Sequence, residues 1–210
     1  MAKQMYRGEL FKTPECRLSF AQGLWTARKV NETDSDDRKK FGCTLIFKLS
    51  DKRVLEEEVR KAIIGEWGEK GMERAKQGLI KLPFLAGDGP SARNKETGEL
   101  KLGMGSDVFF IRPASGLERP PQVRWRGDIP ASKEDVYSGC YGKAVLNAYA
   151  WNNPKSGDGV SFGLAMFQKL KEGERMGGGP IETEKWMEEV PDEGPALETE
   201  GGRGAQGLFG

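Results

Sequence analysis

From residue 142 to 151 the chain alternates without a break. Ala144, Leu146, Ala148 and Ala150 take the even positions, and Lys143, Val145, Asn147, Tyr149 and Trp151 the odd ones. Successive side chains of a strand leave on opposite faces, so the run predicts one strand with a small apolar face and a face of rings, an amide and a lysine. The small face lets the strand bend and pack into a narrow barrel. The other face is free for a ligand. Just before it, "YSGCYG" reads as a turn or bulge, with Gly139 and Gly142 permitting a close backbone bend. At this point Tyr141 reads equally well as a core ring or a binding ring.

Other segments fit the same architecture. "CRLSFAQGLWTARKV" and "KFGCTLIFKLS" are strand-like, the second with Phe41, Cys43, Leu45 and Phe47 on one face. The polar loop "NETDSDDRKK" lies between them, with Lys39 and Lys40 gathered at its end. The period then changes: Val54/Leu55, Val59, Ala62/Ile63 and Trp67 predict an amphipathic helix ending near Gly65–Gly71, with another turn or two in "MERAKQG". Ser50 or Asp51 would cap it, Glu56–Arg60 and Glu57–Lys61 would pair along it, and Trp67 would anchor it in the core. "NKETGEL" suits a hairpin tip. Shorter strands are expected at "DVFFIRP" and "PQVRWRG", and a second long one at 160–170. Several strands around one helix favour a mainly β fold and a small barrel over a parallel α/β sheet.

Several functions are disfavoured. The chain has no histidine, which removes Ser-His-Asp and Cys-His nucleophile systems and imidazole metal sites. Its Gly-rich stretches lack the G-x-x-x-x-G-K-[ST] pattern of a phosphate loop. Acid pairs such as Asp36–Asp37 and Glu188–Glu189 read as solvated charge. Cys16, Cys43 and Cys140 are odd in number and form no CxxC pair, so they read as thiols in a reducing compartment. No cofactor and no metal is expected. No window approaches the ~18 apolar residues of a membrane span, and the first ten residues lack the apolar core of a secretory leader.

A net charge of +1 hides a segregation. Residues 181–210 carry eight acids and two bases, leaving 31 bases and 24 acids in residues 1–180. A body of +7 joined to a tail of −6 is expected where the body binds a polyanion. The division predicts a folded domain over 1–180 and an acidic, Gly-rich disordered tail over 181–210. In the body, cations interleave with rings: Trp25 with Arg28, Trp125 between Arg124 and Arg126, and Lys143 with Tyr149 and Trp151. With Lys39, Lys40, Arg112 and Asn147 they make a candidate surface for single-stranded nucleic acid, whose phosphates meet cations and whose bare bases meet rings. In the tail, Trp186, Met187, Leu208 and Phe209 are the apolar groups a protein partner could take.

The run "YSGCYGKAVLNAYAWNN…GVSFGLAMFQKLKEGERMGGG", residues 137–179, resembles the C-terminal half of a family of tailed-phage single-stranded DNA-binding proteins. "RLSFA", "FGCTLIFKLSD" and "LPFLAGDG" resemble its earlier half more loosely, so the likeness covers about residues 15–180. It implies an OB fold and a non-enzymatic role in phage DNA replication or recombination in the host cytoplasm. Single-stranded DNA would be the ligand, and replication or recombination proteins would meet the tail. Self-association stays open, as do a strand-annealing role and, more remotely, a metal-dependent nuclease. One departure stands out: the usual OB order puts the helix between the third and fourth strands, and here it follows the second. Either a strand in the first thirty residues goes unseen, or the barrel is decorated. The tail also ends in "GLFG" rather than in a phenylalanine.

Overall fold

The structure, a computed structural model, describes residues 5–29, 33 and 35–177. The chain divides between Gly179 and Pro180, and all the described residues belong to the first unit. The acidic tail, with Trp186, Met187, Leu208 and Phe209, lies outside the described residues.

Strands β1 (Phe11–Lys12), β2 (Cys16–Ser19), β3 (Lys40–Gly42) and β4 (Thr44–Lys48) come first, followed by helices α1 (Lys52–Trp67) and α2 (Glu69–Lys76). Then come β5 (Ile80–Lys81), β6 (Leu85–Ala86), β7 (Val108–Ile111), β8 (Ala114–Gly116), β9 (Gln122–Trp125) and β10 (Ile129–Pro130). Two long strands finish the unit, β11 (Tyr141–Asn153) and β12 (Gly157–Lys171).

Register reduces the barrel to five lines. β1 and β2 run in succession along β11, with Phe11 opposite Leu146 and Arg17 opposite Tyr141. β3 and β4 make a second line broken at Cys43, and β7 and β8 a third broken at Arg112–Pro113. Line one pairs with line two, line two with line three, and β11 with both line one and β12, all antiparallel. Line three meets β12 in parallel through one pair, Ala114 with Gly163. The order 1-2-3-5-4-1 is that of a five-stranded, partly open OB-like barrel. β1 is collinear with β2, so no strand line precedes the helix unseen. The helices are an insertion between the second and third lines.

The small face of β11 turns inward as its alternation requires: Ala144, Leu146, Ala148 and Ala150 are all buried. Ala144, Leu146 and Ala148 meet Phe162, Leu164 and Phe167 of β12 and Leu45 and Phe47 of β4 in one core. Phe47 stacks on Phe109 at 5.4 Å, and Phe84 sits edge-on to Phe109 and Phe162. α1 joins this core through Leu55, Val59, Ala62 and Ile63. Trp67 is half-buried against the same core. Each large apolar side chain so buried contributes about 1.5–3 kcal/mol.

Local details differ from expectation. A 3₁₀ turn over Leu49–Asp51 leads into α1, and Asp51 makes no side-chain cap. Glu56 and Glu57 pair backwards with Lys52 and Arg53, at 3.3 and 3.5 Å, rather than forwards with Arg60 and Lys61. Gly68 at φ 66° separates two helices where the sequence suggested one and a trailing turn. β4 is buried on both faces, because Ile46 and Phe110 form a second cluster with Ala92 under the 85–107 segment. Within that segment "NKETGEL" does turn, with Gly98 N–H donating to the Asn94 carbonyl at 3.0 Å.

Candidate nucleic-acid interface

The outward face of the β11–β12 hairpin is built by complementary alternation. Trp151 stands opposite Gly159, Tyr149 opposite Ser161 and Asn147 opposite Gly163. Each large side chain of β11 therefore leans over a small residue of β12. A Cβ added to Gly159 would run into the Trp151 ring, so the indole lies against bare backbone. Trp151 Nε1–H donates to Ser161 Oγ at 2.9 Å, which fixes the ring in plane. One indole face is seated on the backbone of β12, and the residue as a whole stays half-exposed.

Tyr149 is less open than the alternation suggests. The Arg7 guanidinium lies 5.2 Å from its ring centroid, and burial pushes the phenol above its usual range. Asn147 is buried at 6% exposure, laid over Gly163, and its Nδ2 donor has no hydrogen-bond partner among the described residues. The expectation of an amide standing free on the surface is thus corrected: the missing side chain at Gly163 lets Asn147 fold down.

Pairing brings cations onto the same face from neighbouring strands. Lys12 lies opposite Val145, Lys81 opposite Gly159, Arg7 opposite Tyr149, and Arg124 opposite Gln168, which itself faces Lys143. Lys12, Lys81 and Lys143 make no ion pair among the described residues. Arg124 reaches Asp128 at 3.4 Å and Gln122 at 3.0 Å. One transverse row, Gly42–Ala114–Gly163–Asn147, crosses from line two to β11 with no side chain longer than a methyl before the asparagine.

At the far end of this row lies a groove of about 430 Å³ carrying Arg28, Lys29, Lys40 and Arg112. The structure therefore brings together three of the basic residues expected from sequence, Arg28, Lys40 and Arg112. Lys39 points elsewhere: with Lys29 it holds Asp36 at 3.1 Å, and these two lysines keep that carboxyl below its ordinary range. Trp25 packs at the core margin and lines a separate cleft of about 550 Å³ with Tyr137 and Arg175.

Trp125 needs correction. Arg124 and Trp125 are consecutive in β9 and face opposite ways, so the ring turns inward where Arg124 turns out. Trp125 is half-buried, with Lys169 Nζ at 4.8 Å and Arg126 at 4.6 Å from its centroid. Lys169 is buried and bonded to the Asp135 carbonyl and Glu172, each at 2.6 Å. The Lys169 and Tyr137 hydrogen bonds hold the Glu172 carboxyl below its usual range. Trp125 sits beside this bracing cluster, and the exposed Arg126 lies over its ring. Tyr141 is half-buried beside Arg17 and Lys171, at 5.7 and 5.0 Å.

Sequence reading missed Arg7, Lys12 and Lys81, which lie in two-residue strands or isolated bridges with no period to betray them. It also missed "GVSFG", residues 159–163, whose small odd positions complement the rings of β11. That signal was present. Cys16, Cys43 and Cys140 are buried free thiols, and burial raises all three above their usual range. No helix among the described residues is long and apolar enough to cross a membrane.

Known proteins resemble this chain in sequence or in fold. Protein p50 of Acyrthosiphon pisum secondary endosymbiont phage 1 is 32% identical over 145 residues, covering 67% of this chain and 71% of that protein. The single-stranded DNA-binding protein from bacteriophage Enc34, solved in complex with ssDNA, superposes with a TM-score of 0.60 at 16% identity, over 80% of this chain and 89% of that one. Another structure of the Enc34 protein gives 0.53 at 17% identity, over 84% and 89%. At such identities the superpositions speak for the fold. The profile described as "Enterobacter phage Enc34, ssDNA-binding protein" matches residues 10–195, nearly the whole chain, and the chain belongs to that phage ssDNA-binding family.

Proposed function

We propose that this chain is a non-enzymatic protein that coats single-stranded DNA during phage DNA replication or recombination, in the cytoplasm of the infected cell. Residues 1–180 act as the binding domain. The strand crosses the barrel from the Arg28, Lys40 and Arg112 groove, along the bare Gly42–Ala114–Gly163 row, to the rings of Tyr149 and Trp151. Arg7, Lys12, Lys81, Arg124 and Lys143 take phosphates, and Arg7 leaves Tyr149 when a base arrives. The observation that carries the reading is Trp151, half-exposed and seated on Gly159 in the face that holds Lys12, Lys81 and Lys143, none of which has an ion pair among the described residues. Stacking tolerates any base, and cation contacts follow the backbone, so binding is sequence-tolerant. The acidic segment 181–210, with Trp186, Met187, Leu208 and Phe209, serves replication or recombination proteins as a docking tail.

Titration with oligo-dT, duplex DNA and RNA at several salt concentrations tests this. Oligo-dT should quench tryptophan fluorescence and bind far more tightly than duplex. Its log–log salt slope should approach −0.7 per phosphate neutralised. Equal affinity for duplex and single strand would defeat the proposal.

A further inference from the structure

Phe20 sits where its backbone resists it. Its φ of 57° and ψ of 43° are left-handed, and only Arg126 shares a positive φ among the described non-glycine residues. A bulky residue in this conformation costs stability that glycine would not. Nothing inside the barrel offsets the strain: the ring is 56% exposed and absent from the core. Strain of this kind, held at a surface where the fold does not use the side chain, points to function.

The ring instead lines the 430 Å³ groove at the end of the bare row. Phe41 lines the same groove, Gly42 and Ala114 supply its floor, and Arg28, Lys29, Lys40 and Arg112 also line it. Lys29 is engaged by Asp36 and Arg28 by Gln22, whereas Lys40 has no ion pair among the described residues. An apolar slot beneath unpaired positive charge suits one chemical group above others: a flat heterocycle attached to phosphates.

We propose that this groove is a single-nucleotide pocket. One unpaired base lies on the Phe20 ring over Gly42 and Ala114, and its flanking phosphates rest on Arg28, Lys40 and Arg112. The pocket rests on the reading of the face as a DNA track and adds a second stacking anchor to it. Three strand spacings separate Gly42 from Asn147, about 14 Å, so the two anchors engage different nucleotides of one strand. A base held in a duplex carries its partner with it and cannot enter, so the pocket supplies selection for single strands.

The strain makes the test distinctive. Phe20→Gly should raise the melting temperature, because glycine adopts this φ freely, yet weaken binding of a twelve-residue oligo-dT about five- to 140-fold (~1–3 kcal/mol). Phe20→Leu, which keeps the strain but not the ring, should weaken binding without the thermal gain. In the isotope-labelled full-length chain, millimolar dTMP should shift the backbone amides of Phe41, Gly42 and Ala114, and Phe20→Gly should abolish those shifts. A Phe20→Gly chain that binds oligo-dT like the wild type would overturn the pocket while the track stands. So would dTMP shifts confined to the neighbourhood of Trp151. A wild-type chain that binds no oligo-dT overturns both.

Discussion

Replacing Gly159 by alanine inserts a single methyl group under the indole of Trp151. That carbon would stand 2.9 Å from Cη2 and closer still to Cζ2 and Cε2, distances no packed carbon tolerates. Gly159 does not use the left-handed region, so the substitution brings no backbone strain of its own. The ring must lift from its seat and give up the Ser161 hydrogen bond, a net loss of about 0.5–1.5 kcal/mol in folding stability. A lifted ring no longer meets a base squarely, and the stacking at stake is ~1–3 kcal/mol, or about five- to 140-fold in affinity. Anisotropy of labelled oligo-dT measures this in Gly159→Ala, Trp151→Ala and the double variant. Both residues act through one ring, so the double variant should bind no worse than Trp151→Ala alone. If Gly159→Ala binds normally, or if the two losses add, the ring's seat on Gly159 does not prepare it for DNA.

Other perturbations probe the same geometry. Leu146→Ala should cost ~2–5 kcal/mol in urea unfolding, since Leu146 is fully buried in the barrel; a loss below about 1 kcal/mol would mean the core repacks freely. Asn152 and Arg74 hydrogen bonds hold the Asp158 carboxyl below its ordinary 3.8, so its stabilisation is complete above that value and lost as pH falls through the lower folded pKa. Asp158→Asn should therefore destabilise by about 0.2–1 kcal/mol at pH 7 and by progressively less as the pH falls below 3.8, as read from thermal melts. Deleting residues 181–210 removes a charge of −6 tethered to a body of +7, and should tighten oligo-dT binding at low salt more than at high salt. Unchanged low-salt affinity would show that the acidic segment does not compete.

Much of this architecture could be read from the sequence because alternation is a local rule. The buried Ala144–Leu146–Ala148–Ala150 face and the helix over Leu55, Val59, Ala62 and Ile63 needed no knowledge of their partners. What resisted reading depends on contacts distant in sequence. Arg124 faces out and Trp125 in because β9 lies parallel to β12 in one particular register. Ile46 is buried because the 85–107 segment lies over a face that period alone would assign to water. Asn147 was expected on the right face but at the wrong height, since its descent depends on the glycine across the ladder. The backbone strain at Phe20 has no sequence signature at all.

The barrel is sewn everywhere by ladders of several pairs except at one seam, where Ala114 meets Gly163 alone. A seam of one pair is the easiest place for such a cylinder to breathe, and its amides should exchange with solvent sooner than those of the long hairpin. That seam is also the middle of the bare row. A polyanion lying over it and held at both ends would act as an external staple, clamping line three to β12. The strand would then complete the protein's own closure: the free chain is a slit cylinder and the loaded one a sealed cylinder, with slowed exchange at Ala114 and Gly163 as the mark of loading.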